Sequence, residues 1–434
     1  MIQKSDLQRL SEFVWQAPRE YRADMRAPAR LWADEELLDD ALTDKSVEQL
    51  INTATLPGIA KYAIAMPDIH QGYGAPVGGV FATATSDGVI SPGAVGYDIN
   101  CGLRVLASQI HAQEIQPQLQ KLASELYVNC PSGVGVSGSV NLSADDLKDI
   151  LNRGADWTLE RGYAQPEDLP RTEEYGRIPY ANAAMVSYKA QARGIDQLGT
   201  LGAGNHFIEV DRIAKIYDAD AARVLDLFEN QVVVQIHCGS RGLGHQVCQD
   251  YVDQFQRVVK AYNIVLPDRE LVAAPFHSPE GQAYVGAMGA AANFAFANRQ
   301  VLAFHIRRSF ANVLKGHVKN FALHQVYDIA HNMAKVEDHE VDGATMQVLV
   351  HRKGATRAFG PHSSVLPDDL KAIGQPVLIP GSMGTMSFIL CGTAGSMAQT
   401  FGSCCHGAGR VWSRHRAKKE IRGETLRAEM QARG

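Results

Sequence analysis

Apolar positions change rhythm several times along the chain. Residues 1 to about 55 are mostly polar and charged, with one short helical stretch over Ser46–Asn52. From Gly58 to about Ser108, short apolar runs (AIAMP, GGVFATA, GVISPGAVGYDINCGLRVLAS) alternate with glycine and proline, which predicts a β-rich layer with prominent loops. Helical spacing takes over at 116–128 and 144–162. Asp145 and Asp146 sit near the start of the second stretch, where they suit the positive end of a helix dipole. Residues 163–195 are polar and irregular, in the manner of an insertion. Strand-and-loop units follow at 198–211 and 231–245. Over 246–262, Val247, Tyr251, Phe255, Val258 and Tyr262 share one helical face. An alanine-rich helical stretch covers 281–315, strands return at 346–351, 376–379 and 385–391, and 410–434 reads as a charged helix. No repeat or low-complexity linker divides the chain, so a single interleaved α+β domain is expected.

Composition narrows the class. With 434 residues, 45% of them hydrophobic, the chain can bury a large core, and global disorder is excluded. The net charge of −5 is not that of a protein that coats nucleic acid non-specifically, so any RNA or DNA must be met by a local basic site. Seven scattered cysteines do not form a disulfide framework and fit a reducing compartment. The N-terminus lacks the apolar stretch of a signal peptide, and no apolar run is long enough to span a membrane. A cytoplasmic protein is expected.

Several segments carry candidate chemistry. In Asp98-Ile99-Asn100-Cys101, which follows a predicted strand, a carboxylate and a thiolate are spaced to share a divalent metal, and a thiolate can bridge two. The same residues also suit a plain turn. His206 and Glu209 lie in GNHFIE, where His206 is either a pocket residue or a structural hydrogen-bonder. His237 ends an apolar strand and is followed by a glycine loop with Arg241, the place where free backbone N–H groups favour a ligand. His331 falls near the end of a helical stretch, seven residues after His324, and by itself reads as a surface histidine. In Cys404-Cys405-His406-Gly407-Ala408-Gly409-Arg410, glycines expose a histidine beside an arginine. A neutral histidine there can attack phosphorus, although CCH is also half of a zinc site. Residues 378–387 read as strand, glycine loop, strand, and no Walker-type phosphate loop occurs anywhere. The ligand types as a set suit manganese, zinc or iron.

Taken in order, MPDIHQGYGAPVGGV (66–80), GYDINCG (96–102), LGTLGAGNHFIEV (198–210), IHCGSRGLGHQV (236–247), AHNMAKVE (330–337), HRKGATRAFGP (351–361), VLIPGSMGT (377–385) and CHGAGR (405–410) resemble the RtcB family of RNA ligases from about residue 20 to 416. The resemblance implies an α+β domain around a central site. Asp98, Cys101, His206, His237 and His331 would hold two manganese ions with Cys101 bridging, and His406 would be guanylylated by GTP. It further implies a guanine-nucleotide pocket of Asn205, Phe207, Glu209, Asn332, Pro380, Gly381, Ser382, Met383, Ser387, Gly407, Ala408 and Gly409. The implied reaction joins an RNA 3′-phosphate or 2′,3′-cyclic phosphate to a 5′-hydroxyl, in tRNA splicing or RNA repair, with an archease-type activator as a possible partner. Arg241, Lys353, Arg357 and Arg410 are the candidate phosphate or RNA contacts.

Two departures stand out. Relatives continue past the charged helix to a final lysine that reaches the nucleotide, whereas this chain stops at Gly434, so the family's C-terminal segment is expected to be absent. Cys238 stands where serine is expected, which would put a further thiol beside the metals. Two competing readings are a dinuclear metal phosphatase or nuclease, which would need no His406, and a shortened relative that binds RNA or nucleotide without ligating.

Overall fold

A computed structural model of the chain describes residues 2–382, 384–407, 419–421 and 423–432. It is an α+β domain built on two sheets. The larger has seven strands in the order Gln8–Ser11, Val14–Ala17, Ala29–Trp32, Ala63–His70, Val77–Ala84, Ala344–Lys353 and Asn332–Val341. All its neighbours are antiparallel except Ala29–Trp32 with Ala63–His70. The smaller sheet runs His324–Ala330, Gly102–His111, Gln231–Cys238, Phe207–Arg212, antiparallel throughout. Two short pairs cap the site: Ala355–Arg357 with Ser403–Cys405, and Pro376–Ile379 with Phe388–Cys391.

The helix Pro279–Leu314 runs through the centre. It is buried on nearly every side, which its alanines and glycines permit by letting neighbours approach from all directions. Several of its polar side chains tie it to its surroundings. Arg299 donates to both oxygens of Asp328 (2.8 and 2.7 Å) and to the carbonyls of Asn100 and Cys238 (2.7 and 2.9 Å). Arg104 on the small sheet reaches the same Asp328 at 2.7 Å. This fully buried Arg–Asp–Arg group ties the helix to the strands that carry Cys101 and His237. Among the described residues, no helix is long and apolar enough to cross a membrane.

Several expectations are corrected. The polar lead-in contains three strands and a helix, Glu35–Ala41, besides the helix Ser46–Thr53. The stretch 144–162 is two helices, Ala144–Arg153 and Ala155–Glu160. They are broken at Gly154, whose φ of +56° and contact with Gly176 O leave no room for a Cβ. The helix expected from 116 begins at Leu119 and is preceded by a 3-10 turn. Residues 163–195 are a series of 3-10 turns and the helix Tyr188–Gly194, laid against the central helix. Asp168 there pairs with Arg307 (2.6 Å), and Asn293 accepts from Ile178 N (2.7 Å). The helix Arg241–Ala261 buries Val247, Tyr251, Phe255 and Val258 as expected, but Tyr262 caps it and is exposed. Asp98 follows a 3-10 turn, Pro92–Ala94, and lies ahead of a strand, not after one. His331 is not helical: it sits between the strands His324–Ala330 and Asn332–Val341, where the chain crosses from one sheet to the other. Of the charged C-terminal stretch, Gly423–Ala432 is helical, while 410–418 lie outside the described residues.

Candidate metal and nucleotide site

One end of the small sheet gathers the candidate ligands. Cys101 precedes the strand Gly102–His111, His206 precedes Phe207–Arg212, His237 nearly ends Gln231–Cys238, and His331 follows His324–Ala330. Antiparallel pairing makes these four ends coincide: Leu103 faces His237, which faces Phe207. His331 N donates to Cys101 O at 2.8 Å, which fixes the crossing between sheets. Asp98 is brought in by Ser240, whose N–H and hydroxyl donate to its Oδ1 (3.0 and 3.3 Å). A Cβ on Gly239 would lie 2.4 Å from that oxygen, so the approach requires glycine.

The ligand atoms form two triads that share one thiol: Cys101, His237 and His331, and Asp98, Cys101 and His206. Cys101 Sγ is 3.3 Å from His237 Nε2 and 3.5 Å from His206 Nε2. His237 Nε2 is 3.1 Å from His331 Nε2, and His206 Nε2 is 2.8 Å from Asp98 Oδ2. Two nitrogens on one ion at about 2.0–2.1 Å stand roughly 3.3 Å apart in tetrahedral geometry, so the spacing fits a shared cation. Burial, and then neighbouring positive groups, hold His237 and His331 well below the usual imidazole range, and the neutral ring is the form that binds a metal. Their Nδ1 atoms are buried with no hydrogen-bond partner among the described residues. Burial and Asp98 push the Cys101 thiol up to about 11. The donor set (thiol, carboxyl, imidazole) and its two overlapping triads therefore fit a dinuclear centre.

His406 stands beside this cluster, its ring centroid 4.9 Å from that of His331. Its Nδ1 lies 2.5 Å from Asp68 Oδ2, which also accepts the backbone N–H groups of His406 and Gly407 at 3.1 Å. Asp68 escaped the sequence reading. Its signal was its place within MPDIHQGYG, at the irregular end of the strand Ala63–His70.

Phe207 and Glu209 alternate along one strand face, and the Phe207 ring is 5.3 Å from that of His237. Burial, then Asp211, pushes the Glu209 carboxyl up to about 7. Pro380, Gly381, Ser382 and Ser387 lie in a hairpin whose loop is pinned by Gly381 N on Ser387 Oγ (2.9 Å). A Cβ on Gly407 would lie 3.8 Å from Pro380 O, so this loop borders the His406 turn. Asn205 adjoins His206 at the same end of the sheet.

A family model described as tRNA-splicing ligase RtcB matches residues 49–434. The chain belongs to the RtcB family. It is 50% identical over 428 residues to a tRNA-splicing ligase RtcB of Thermococcus kodakarensis, covering 99% of this chain and 89% of that one. The Archaeoglobus fulgidus protein of the same name is 47% identical over the same shares. An RNA-splicing ligase RtcB homolog 1 of Entamoeba histolytica is 48% identical over 391 residues, 89% of this chain and 74% of that one.

Within this RtcB fold, some expected contacts are occupied by protein. Lys353 is buried and donates to the carbonyls of Tyr73, Ala75 and Gly93, which leaves it nothing for a phosphate. Arg357 is buried and paired with Glu174 (2.5 Å) and Glu173 (3.3 Å). Asn332 bridges the site walls, donating to Asp98 O (2.9 Å) and accepting from Gly354 N (2.8 Å). Arg241 stays at the site, with Nη1 3.0 Å from His206 Nδ1. Cys238 belongs to neither triad: its Sγ faces Thr200 O, Leu201 O and Asn298 Nδ2 at 3.2–3.4 Å, and it meets the far ring nitrogen of His206, Nδ1, at 3.9 Å. Met383, Ala408, Gly409 and Arg410 lie outside the described residues.

Proposed function

We propose that this chain is a GTP- and manganese-dependent RNA ligase. It joins an RNA 3′-phosphate, or a 2′,3′-cyclic phosphate after opening, to a 5′-hydroxyl, in tRNA splicing or repair. The observation that carries this reading is a histidine held by a buried carboxylate, 4.9 Å from a ligand of two triads that meet at Cys101. The names of the relatives point the same way. A phosphatase or nuclease would need the two triads but no covalent guanylate on His406.

On this reading His406, with Nδ1 engaged by Asp68, attacks the α-phosphorus of GTP through Nε2. A P–N bond forms, the bond to pyrophosphate breaks, and the guanylate then passes to an oxygen of the RNA 3′-phosphate, which restores the ring. The 5′-hydroxyl oxygen attacks the activated phosphorus, loses its proton, and releases GMP. Manganese bound by Asp98, Cys101, His206, His237 and His331 would neutralise phosphoryl charge and lower the barrier to the attacking oxygen. Arg241 adds a fixed positive charge at the same place. Phe207, Glu209 and the Pro380–Ser387 hairpin would border the guanine nucleotide.

The test is incubation with [α-32P]GTP and manganese. A covalent label on the wild-type protein that is absent from His406→Ala supports the ligase. Folded, manganese-loaded wild-type protein that takes no label overturns it in favour of a non-ligating relative.

A further inference from the structure

The segment after His70 leads from the His406 side of the site to the Asp98 side. The His70 and His406 rings lie 6.5 Å apart, near-parallel. Three residues on, Tyr73 is 60% exposed, and its ring meets that of Tyr97 edge-on with centroids 5.5 Å apart. Tyr97 directly precedes Asp98 and lies 6.0 Å from the imidazole of His245, itself exposed on the first turns of the helix Arg241–Ala261. Arg241 starts that helix, and Arg193 reaches Gln246, the neighbour of His245, at 3.0 Å. Three aromatic rings and two guanidinium groups thus share one rim of the metal-ligand cluster.

The backbone beneath Tyr73 is tied down at almost every residue. Gln71 N donates to Asp44, Gly72 exchanges two hydrogen bonds with the Gln49 amide (2.8 and 2.9 Å), and Lys353 binds the carbonyls of Tyr73 and Ala75. An exposed aromatic ring on a backbone this constrained has already lost much of the freedom that binding would remove. Its neighbours in the loop are glycine and glutamine, so the patch is not the broad apolar surface that marks a protein contact. Exposed rings at Tyr73 and His245, joined through the half-buried Tyr97 and near guanidinium groups, match the two parts of a nucleotide, a flat base and a charged phosphate.

We propose that Tyr73, Tyr97 and His245 form a stacking shelf for an unpaired nucleobase of the RNA end being joined, with Arg241 beside the adjoining phosphate. The inference rests on the ligase reading and adds to it where the terminal base is held. Buried Lys353, with no donor left for phosphate, becomes the residue that positions the shelf.

The probe is a short single-stranded RNA carrying 2-aminopurine, either at a 3′-phosphate terminus or at a 5′-hydroxyl terminus. Stacking on the shelf quenches the fluorescence of one of the two, and the strand that responds tells which end occupies it. Quenching is expected to be lost in Tyr73→Ala and retained in Tyr73→Phe, with binding weakened roughly 5- to 150-fold in the alanine variant. An abasic nucleotide at the same terminus should weaken wild-type binding by a similar factor and weaken Tyr73→Ala, which keeps Tyr97 and His245, by less. That arm needs no altered protein, so a misfolded variant does not decide the matter. The shelf is overturned if neither strand is quenched, or if abasic and base-bearing strands bind the wild type equally. GTP labelling of His406 scores the ligase reading separately: label without quenching sinks the shelf alone, and quenching without label keeps the shelf and sinks the ligase.

Discussion

Asp68 holds His406 at three points, with one carboxylate oxygen meeting the ring Nδ1 and the backbone N–H groups of His406 and Gly407. A single buried side chain therefore touches both the ring and its loop, and on the proposed mechanism Nε2 is the nitrogen that takes the guanylate. Asp68→Asn keeps the shape and removes the charge. The rate of His406 labelling by GTP, followed by rapid quench, is expected to fall roughly 100-fold or more, while manganese content is retained. An unchanged rate would show that Asp68 only packs.

Cys101 belongs to both ligand triads, whereas Cys238, the other thiol nearby, belongs to neither and reaches only the Nδ1 of His206, on the ring edge away from Asp98 and Cys101. Cys101→Ser should therefore reduce bound manganese from two ions per chain to one or none, as measured by elemental analysis after dialysis. Cys238→Ser should retain two. Equal metal content in the two variants would contradict the bridging role.

The buried Asp328 balances Arg104 and Arg299 at 2.7–2.8 Å with no solvent access. Removing it strands two guanidinium groups in the core. Asp328→Ala is expected to cost about 3–5 kcal/mol of stability, read from denaturant midpoints. Asp369→Ala, on the surface opposite Arg171, should cost less than about 1 kcal/mol. Similar losses from the two would refute the argument.

Glu337 accepts a two-pronged contact from Arg352 (2.6 and 2.8 Å) and a contact at 2.9 Å from His339. Burial alone would raise its carboxyl, but Arg352 and His339 outweigh that and bring it down to about 2. A depressed carboxyl stabilises the fold above its ordinary pKa, about 4.5, and the contribution is lost as pH falls toward 2. The stability difference between wild type and Glu337→Gln should be constant from pH 7 to about 5 and shrink below that. A difference as large at pH 3 as at pH 7 would be inconsistent with this sign.

Much of the site was visible in the sequence because its ligands sit at strand ends flanked by glycine, where local pattern and local structure agree. His206 and His237 are of this kind. Other features depend on partners far away in the chain. The edge strand Gln8–Ser11 is exposed at every residue, so it carries no apolar alternation to detect. Asn332–Val341 does alternate between buried and exposed, but the seven-residue spacing of His324 and His331 suggested a helix, and only pairing with Ala344–Lys353 decides the matter. Lys353 and Arg357 show how little a charged residue reveals alone: next to glycine they looked like phosphate ligands, and in the fold their donors meet carbonyls and glutamates.

The separation between Asp68 and His406 also has a temporal side. They are 338 positions apart, and the last proposed metal ligand, His331, precedes His406 by 75 residues (406 − 331). At about 5–20 residues per second on the ribosome, the proposed nucleophile is made roughly 4–15 s after the proposed ligand set is complete. On the ligase reading, a chain that ends between the two holds every proposed metal ligand and lacks the residue that would take the guanylate. Such a product of interrupted translation could take no GTP label, whatever metal it held.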